Sequence, residues 1–442
     1  MTVKTFFVRC QDCNHQFPFE KPILDCPKCG SQWLDAQYTY PKPTAWQKSL
    51  TNRPMDLWRY HELLPIQNLE NVVSLGKGWS PLIKAENLGL MLGHPNIVVA
   101  STGNVAIAYS AHCARAGIKL WVFVTSSVPP EKMREVALYG SEVIKVAGTY
   151  DQAKEIAADF AKSKNLFLDR GIKTIAAKEA MKTLAYEISE QLGNDSSGAP
   201  AGLPNGNQHP WQTPNWIHQA VSGGMGPVGV MKGFEELNQM GIINGMPKLA
   251  CFQVSGCAPM VTAFKNGQRQ PMRVKNPVTD IATLATGTPG HTYTVLYDLI
   301  QKYGGTMEAI SDKDAFSALQ VVAQMDGLSA EPATAVTFAG LFKLIREGVI
   351  EPHETVVVNC SGHTFPVEKH IVGEQFTRDM AADGNSQQRG DGLLVALEDL
   401  DDRVQRIAIV EDNADSARLI RRILQAQGDF LIDEAHDGRS GL

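Results

Sequence analysis

The chain has 442 residues, 43% hydrophobic, 20% charged and 7% aromatic, which is apolar material enough for more than one core. Its 41 basic against 47 acidic residues give a net charge of -6, with no basic block or face of the kind general nucleic-acid binding needs. No run approaches the ~20 apolar residues of a membrane span, and the apolar part of "MTVKTFFVRCQDC" is too short for a signal peptide, so the expectation is a cytoplasmic chain with small-molecule partners, no nucleic acid and no membrane.

The first element is a pair of cysteine knuckles, "CQDC" with Cys10 and Cys13, then "CPKC" with Cys26 and Cys29. Two C-x2-C turns place four thiolates tetrahedrally, and residues 1–40 hold so little core that structural zinc would supply most of their folding energy. The competing reading, two disulfides, does not suit a reducing compartment. His15 stands close enough to replace a cysteine but is read as a bystander; Cys113, Cys251, Cys257 and Cys360 are read as buried small hydrophobes.

From Leu75, "SLGKGWSPLIKAENLG" combines a glycine-rich turn with an S-P-L step into an extended segment. Then "NIVVA" is a strand, "STGN" a turn, and "VAIAYSAHCARAG" a helix capped by Gly117; "KLWVFV", "PEKMREVALYG" and "SEVIKVAG" continue as strand, helix and strand. That alternation predicts a parallel α/β sheet, with ligands beyond the carboxyl ends of its strands. After the apolar "IHQAV", the run "SGGMGPVGVMKGFEEL" passes straight into a helix. Gly223, Gly224 and Gly226 there clear space for backbone amides to wrap an oxyanion, although tight packing without a ligand explains such a turn equally well.

Further along come "FQVSGCAPMVTAFKNG", "TLATGTPGHTYTVLYDLIQKYGGTMEAISDKDAF", "GLSAEPATAVTFAGLFKL" and "ETVVVNCSGHTFPVEK". In this order, with the cysteine knuckles and "SLGKGWSPL", these motifs resemble threonine synthase, a fold-type-II pyridoxal-phosphate enzyme akin to tryptophan synthase β, over Met1 to about Phe376. The resemblance implies two parallel-sheet α/β subdomains over residues 41–380, pyridoxal phosphate as cofactor, conversion of O-phospho-L-homoserine to L-threonine and phosphate, and a homodimer. Ser101, Thr102 and Gly103 would then hold the substrate carboxylate, and Asn104 the phenolic oxygen of the cofactor. Gly223, Gly224, Met225 and Gly226 would bind its phosphate. Ser361 would face its pyridine nitrogen, a neutral hydroxyl that leaves that nitrogen largely unprotonated. Glu331 and Pro332 are read as a helix start.

One part of the resemblance is missing. The family carries a strand, a lysine motif of the type S-F-K-D-R and a helix between S-P-L and the asparagine turn, whereas here only "IKAENLGLMLGHPNIVVA" separates Leu82 from Ser101. The Schiff-base lysine is therefore absent, Lys77 and Lys84 do not align with it, and "FLDRG" at Phe167 to Gly171 imitates the motif without its lysine. A deletion near residues 88–99 is the favoured explanation, ahead of a true pseudoenzyme or altered chemistry, because both flanks stay regular. It should expose apolar faces of neighbouring elements and weaken cofactor binding. Another amino-acid lyase, of the threonine dehydratase or cysteate synthase kind, and a non-catalytic ligand sensor are the alternatives in function.

Gly193 to Asn215 reads as a surface insertion and 381–404 as a linker. From 405, "RVQRIAIVEDNADSARLIRRILQAQGDFLIDEAHDGRSGL" resembles the opening of a response-regulator receiver domain that stops at Leu442, before its phosphorylated aspartate. Glu411 and Asp412 would match the acidic pair beside that aspartate; a solvated acidic turn is the preferred reading for so short a piece.

Overall fold

Zinc-knuckle spacing and alternating apolar residues build the first sheet. β1 (Phe6–Cys10), β2 (Gln16–Phe17) and β3 (Leu34–Tyr38) pair antiparallel in the order β2-β1-β3, with Val8 opposite Ala36 and Cys10 opposite Leu34. Those four side chains are buried, and through them this small sheet joins the same core as Trp46, Ile175 and Tyr186. The structure, a computed structural model, describes residues 6–19, 23–66, 68–69, 72, 78–80, 82–84, 97–101, 105–116, 118–125, 130–147, 150–164, 166, 168, 173–195, 211–362, 406–410, 421 and 431–435.

Helix α1 (Pro43–Leu50) opens on proline, which suits a first turn, and buries Trp46 and Leu50 one turn apart. Next in the chain are β4 (Leu82–Lys84), β5 (Ile97–Ser101), α2 (Val105–Ala116), β6 (Trp121–Thr125), α3 (Pro130–Leu138), β7 (Glu142–Val146) and α4 (Tyr150–Ser163). Then α5 (Ile175–Met181), α6 (Thr183–Asp195), β8 (Trp216–Ala220), α7 (Met225–Gln239), β9 (Lys248–Val254), α8 (Pro259–Lys265), α9 (His291–Tyr303) and β10 (Gly305–Ile310) lead to α10 (Asp312–Asp326), α11 (Pro332–Arg346) and β11 (Val356–Cys360).

Six strands form the main sheet in the order β10-β9-β8-β11-β5-β4, all parallel except β4. A parallel sheet needs both faces covered. Ile217, Leu249, Cys251 and Val357 pack with Met231, Phe234 and Leu296 in one core, while Trp216, Phe252, Val356 and Val358 pack with Val322, Phe338 and Leu341 in the other. Helix α7 approaches α6 closely: a Cβ on Gly233 would lie 2.3 Å from the Lys182 carbonyl oxygen.

The alternation of three strands and two helices expected from Asn96 onward divides. β5 does not join β6; it lies between β11 and β4, Cys360 opposite Ser101, while β6 and β7 make a separate two-stranded parallel sheet. The chain itself supplies the reason. Only twelve residues separate Lys84 from Ile97, a connection suited to antiparallel neighbours and marginal for a crossover, and the apolar run "IVVA" suits a place beside β11. Among the described residues neither hydrophobic core has a member between Leu63 and Ile175. Leu138 there is 81% exposed and Ile118 61%.

Of the expected loop at Gly193 to Asn215, residues 196–210 lie outside the described ones; α6 runs on to Asp195, and Trp211 is buried with its ring 5.8 Å from that of Trp46. Among the described residues no helix is long and apolar enough to cross a membrane. Residues 375–442 form a second unit. In it β12 (Arg406–Val410) and β13 (Leu431–Ala435) pair parallel, Ala408 opposite Asp433, while Glu411 and Asp412 lie outside the described residues.

Candidate functional site

Backbone turns bring the four cysteines together. The Asn14 amide donates to the Cys10 carbonyl and the Gly30 amide to the Cys26 carbonyl, both at 2.9 Å, closing two matching knuckles. All four sulfurs lie within 4.8 Å of one another, Cys10 to Cys29 at 3.6 Å and Cys13 to Cys26 at 3.7 Å. A disulfide needs about 2.05 Å. A zinc tetrahedron with bonds of about 2.3 Å has edges of about 3.8 Å, so the donor set fits a closed structural metal site. His15 stacks on Phe17 instead.

Charged side chains fasten this ribbon to the body. Asp35 of β3 accepts from Lys178 and Lys232 at 2.8 Å each, and the Tyr38 hydroxyl donates to Glu179 at 3.0 Å. Lys182 bridges Glu179 at 2.8 Å and Glu236 at 3.0 Å. Burial opposes ionisation of Asp35, but the two lysines outweigh it and hold its carboxyl well below the usual range. The fully buried lysine, Lys182, is thus committed to ion pairs.

At the carboxyl end of β8 the glycine turn runs into α7, a fifteen-residue helix whose first amides have no acceptor within the helix. Its glycines differ in purpose. Gly224 has φ +85°, and a Cβ there would come within 2.8 Å of Leu296 and 2.9 Å of Thr292. On Gly226 it would meet the Gln219 amide at 2.2 Å, whereas on Gly223 it would meet nothing within 4 Å. Gly223 therefore borders open space, and Met225 begins the helix. The Ser222 hydroxyl pairs with Thr286, a buried residue of "TLATGTPG" whose role local sequence does not announce.

The next strand in the sheet, β11, ends beside it. Just past Cys360, the Ser361 hydroxyl lies 3.0 Å from Glu331 Oε1 and 3.1 Å from Thr334 Oγ1, and the Ser361 amide donates to Thr334 Oγ1 at 3.0 Å. Glu331 is the residue before Pro332 at the start of α11, as expected, and it is buried; its amide donates to the Gly362 carbonyl at 3.0 Å. Its contact with Ser361 escaped sequence reasoning, because thirty residues separate the two. Ser101 ends β5 opposite Cys360, so β5 stops on the same edge; Thr102, Gly103 and Asn104 lie outside the described residues.

The sequence profile described as "Pyridoxal-phosphate dependent enzyme" matches residues 73–362. A threonine synthase of Methanocaldococcus jannaschii is 30% identical over 391 positions, covering 80% of this chain and 91% of that protein. One from Methanosarcina acetivorans is 27% identical over 401, covering 83% and 94%. Eighty per cent of 442 residues is about 354, so about 37 of the 391 positions have no residue here. For the second relative, 83% is about 367 of 401, which leaves about 34. Among solved structures, threonine deaminase isoform 2 of Solanum lycopersicum superposes with TM-score 0.52 at 16% identity over 79% of this chain and 95% of its own. Maize serine racemase gives 0.53 at 13%, over 66% and 90%, and both likenesses speak for the fold. A mostly parallel sheet with these turns at its carboxyl edge, and relatives that share its sequence over most of their length, place the chain in the fold-type-II pyridoxal-phosphate dependent enzymes, within the threonine synthase family.

Proposed function

We propose that this chain carries the site for converting O-phospho-L-homoserine to L-threonine and phosphate, with its cofactor cradle built and the lysine that begins the chemistry removed. The observation that carries the reading is that β8, β11 and β5, adjacent and parallel in one sheet, end at the same edge, with the glycine turn after β8 and Ser361 after β11. The open space at Gly223 and the helix N-terminus behind it suit a phosphate, and Ser361 suits the ring nitrogen. Pyridoxal phosphate, when bound, supplies an electron sink for charge developing on the substrate carbon chain. In this reading the turn Gly223–Gly226 holds the phosphate, Asn104 the phenolic oxygen, and Ser101, Thr102 and Gly103 the substrate carboxylate.

Lys84, between Leu82 and Ser101, does not align with the family's lysine motif, and the positions of the relatives left unmatched along the whole chain leave room for a missing segment of that length. Deletion is the reading we keep. Residues 1–40 act as a structural zinc ribbon, 41–380 as the cofactor domain, 381–404 as a linker and 405–442 as the opening of a receiver domain. The protein is read as a cytoplasmic homodimer.

The chain as it stands should release no threonine from O-phosphohomoserine, since a free amine in solution would have to replace an effective molarity of about 10^5 M or more. Inserting a family-typical lysine segment between His94 and Asn96 should restore cofactor binding and turnover together. Threonine formed by the unrepaired chain would refute the missing base. A repaired chain that binds cofactor and stays inactive would mark a pseudoenzyme, and one that forms 2-oxobutanoate from threonine a dehydratase.

A further inference from the structure

Ser361 has more partners than a turn residue needs. Its hydroxyl owns one proton and two lone pairs. Glu331, 3.0 Å away, only accepts when ionised, so Ser361 donates its proton there. Thr334 Oγ1 already accepts from the Ser361 amide, and with the Ser361 proton committed, the 3.1 Å contact between the two hydroxyls is made by the Thr334 proton. One lone pair is left on Ser361.

Glu331 stands at the N-terminus of α11, a fifteen-residue helix whose positive end favours an anion. The thiol of the neighbouring Cys360 is pushed up to about 12, by burial first and by Glu331 second. The carboxylate lies hard against the backbone, since a Cβ on Gly362 would come within 2.7 Å of it.

We propose that Glu331 is a positioning residue that turns Ser361 from a proton donor into a proton acceptor, so that the ring nitrogen of the bound cofactor is held protonated. The proposal rests on the reading of Ser361 as the group facing that nitrogen. It reverses what a lone hydroxyl implies: with its own proton drawn away, Ser361 makes a hydrogen bond only to a nitrogen that carries one, taken up from water. A protonated ring withdraws electrons more strongly, which suits a reaction that must stabilise charge beyond the α-carbon.

The test uses 4-deoxypyridoxine 5'-phosphate, which lacks the aldehyde and needs no lysine. With nitrogen-15 in its ring it is bound to the full chain and followed by NMR from pH 6 to pH 9. Wild type should hold the nitrogen at the pyridinium position throughout. Glu331→Gln should lower the titration midpoint by at least one pH unit, Thr334→Val should leave it protonated, and Ser361→Ala should weaken binding about tenfold. A wild-type nitrogen at the neutral pyridine position overturns the proposal while the cofactor site stands. Where the missing segment leaves wild type unable to hold the compound, the same titration is made on the chain with that segment restored, and failure of the restored chain to bind overturns the site and the proposal with it. Should Glu331→Gln not fold, the wild-type titration alone decides.

Discussion

Gly223 and Gly224 are neighbours under opposite constraints. Alanine at Gly224 would sit at φ +85° and push into Leu296 and Thr292, so Gly224→Ala should cost at least ~1–2 kcal/mol and lower the melting temperature by several degrees. Alanine at Gly223 meets no protein atom but fills the space beside the turn. Gly223→Ala should therefore melt within about 1 °C of wild type yet bind the phosphate-bearing cofactor analogue at least tenfold more weakly. Calorimetry and a binding titration on both variants check this; equal loss of stability would show the turn to be packing alone. The glycine run was legible in the sequence as a strand-to-helix turn, and the four thiols as a set able to hold a metal, because each lies in one short stretch. Glu331 was legible as a helix start only: its carboxylate meets Ser361 through the return of β11 beside α11, a tertiary contact that no local spacing records.

The S-P-L step is held to α6 by a contact that should respond to pH. The Ser80 amide donates to Glu187 at 2.8 Å, and Gln191 donates to the Ser80 carbonyl at 3.0 Å. Burial pushes the Glu187 carboxyl up to about 7 from 4.5, although the Ser80 and Trp79 amides pull the other way. A folded-state value above the unfolded one means that the folded chain binds the proton more tightly. The contribution is fully present below about pH 4.5 and is lost as pH rises through 7, roughly 3 kcal/mol in all. Denaturant titrations at pH 5 and pH 8 should show wild type losing about that much more stability than Glu187→Gln; parallel losses would discard the assignment. The strand before the glycine turn, the helix after it and the start of α11 were legible in the sequence, whereas the partner of "IVVAS" was not. A strand with four consecutive apolar residues announces burial and says nothing about which edge buries it. The Asp35 to Lys232 bond, spanning 197 positions, was hidden in the same way.

Across the whole molecule, order should be unequal. The sheet made by β8, β9 and β11 is covered on both faces, while β6 and β7 form a separate pair with Trp121 and Phe123 against Phe160 and with Leu138 and Ile156 exposed. Two strands with a thin apolar cover are marginal by themselves. Amides of residues 121–146 should exchange with solvent at least a hundredfold faster than those of residues 216–254, and restoring the lysine segment should slow the first group at least tenfold. Exchange that is equally slow in both groups before repair would mean that the lobe is complete without the segment.

The position of β5 also sets an order of events during synthesis. Its parallel partner, β11, lies some 259 residues further along, Ile97 against Val356. At about 5–20 residues per second the ribosome needs roughly 13–50 s to deliver that partner. Through that interval a mainly apolar strand has only the three-residue β4 beside it. The nascent chain thus offers one open, sticky edge for most of its translation, which makes it a natural client for a chaperone that binds short apolar stretches at the tunnel exit and lets go when residues 356–360 emerge.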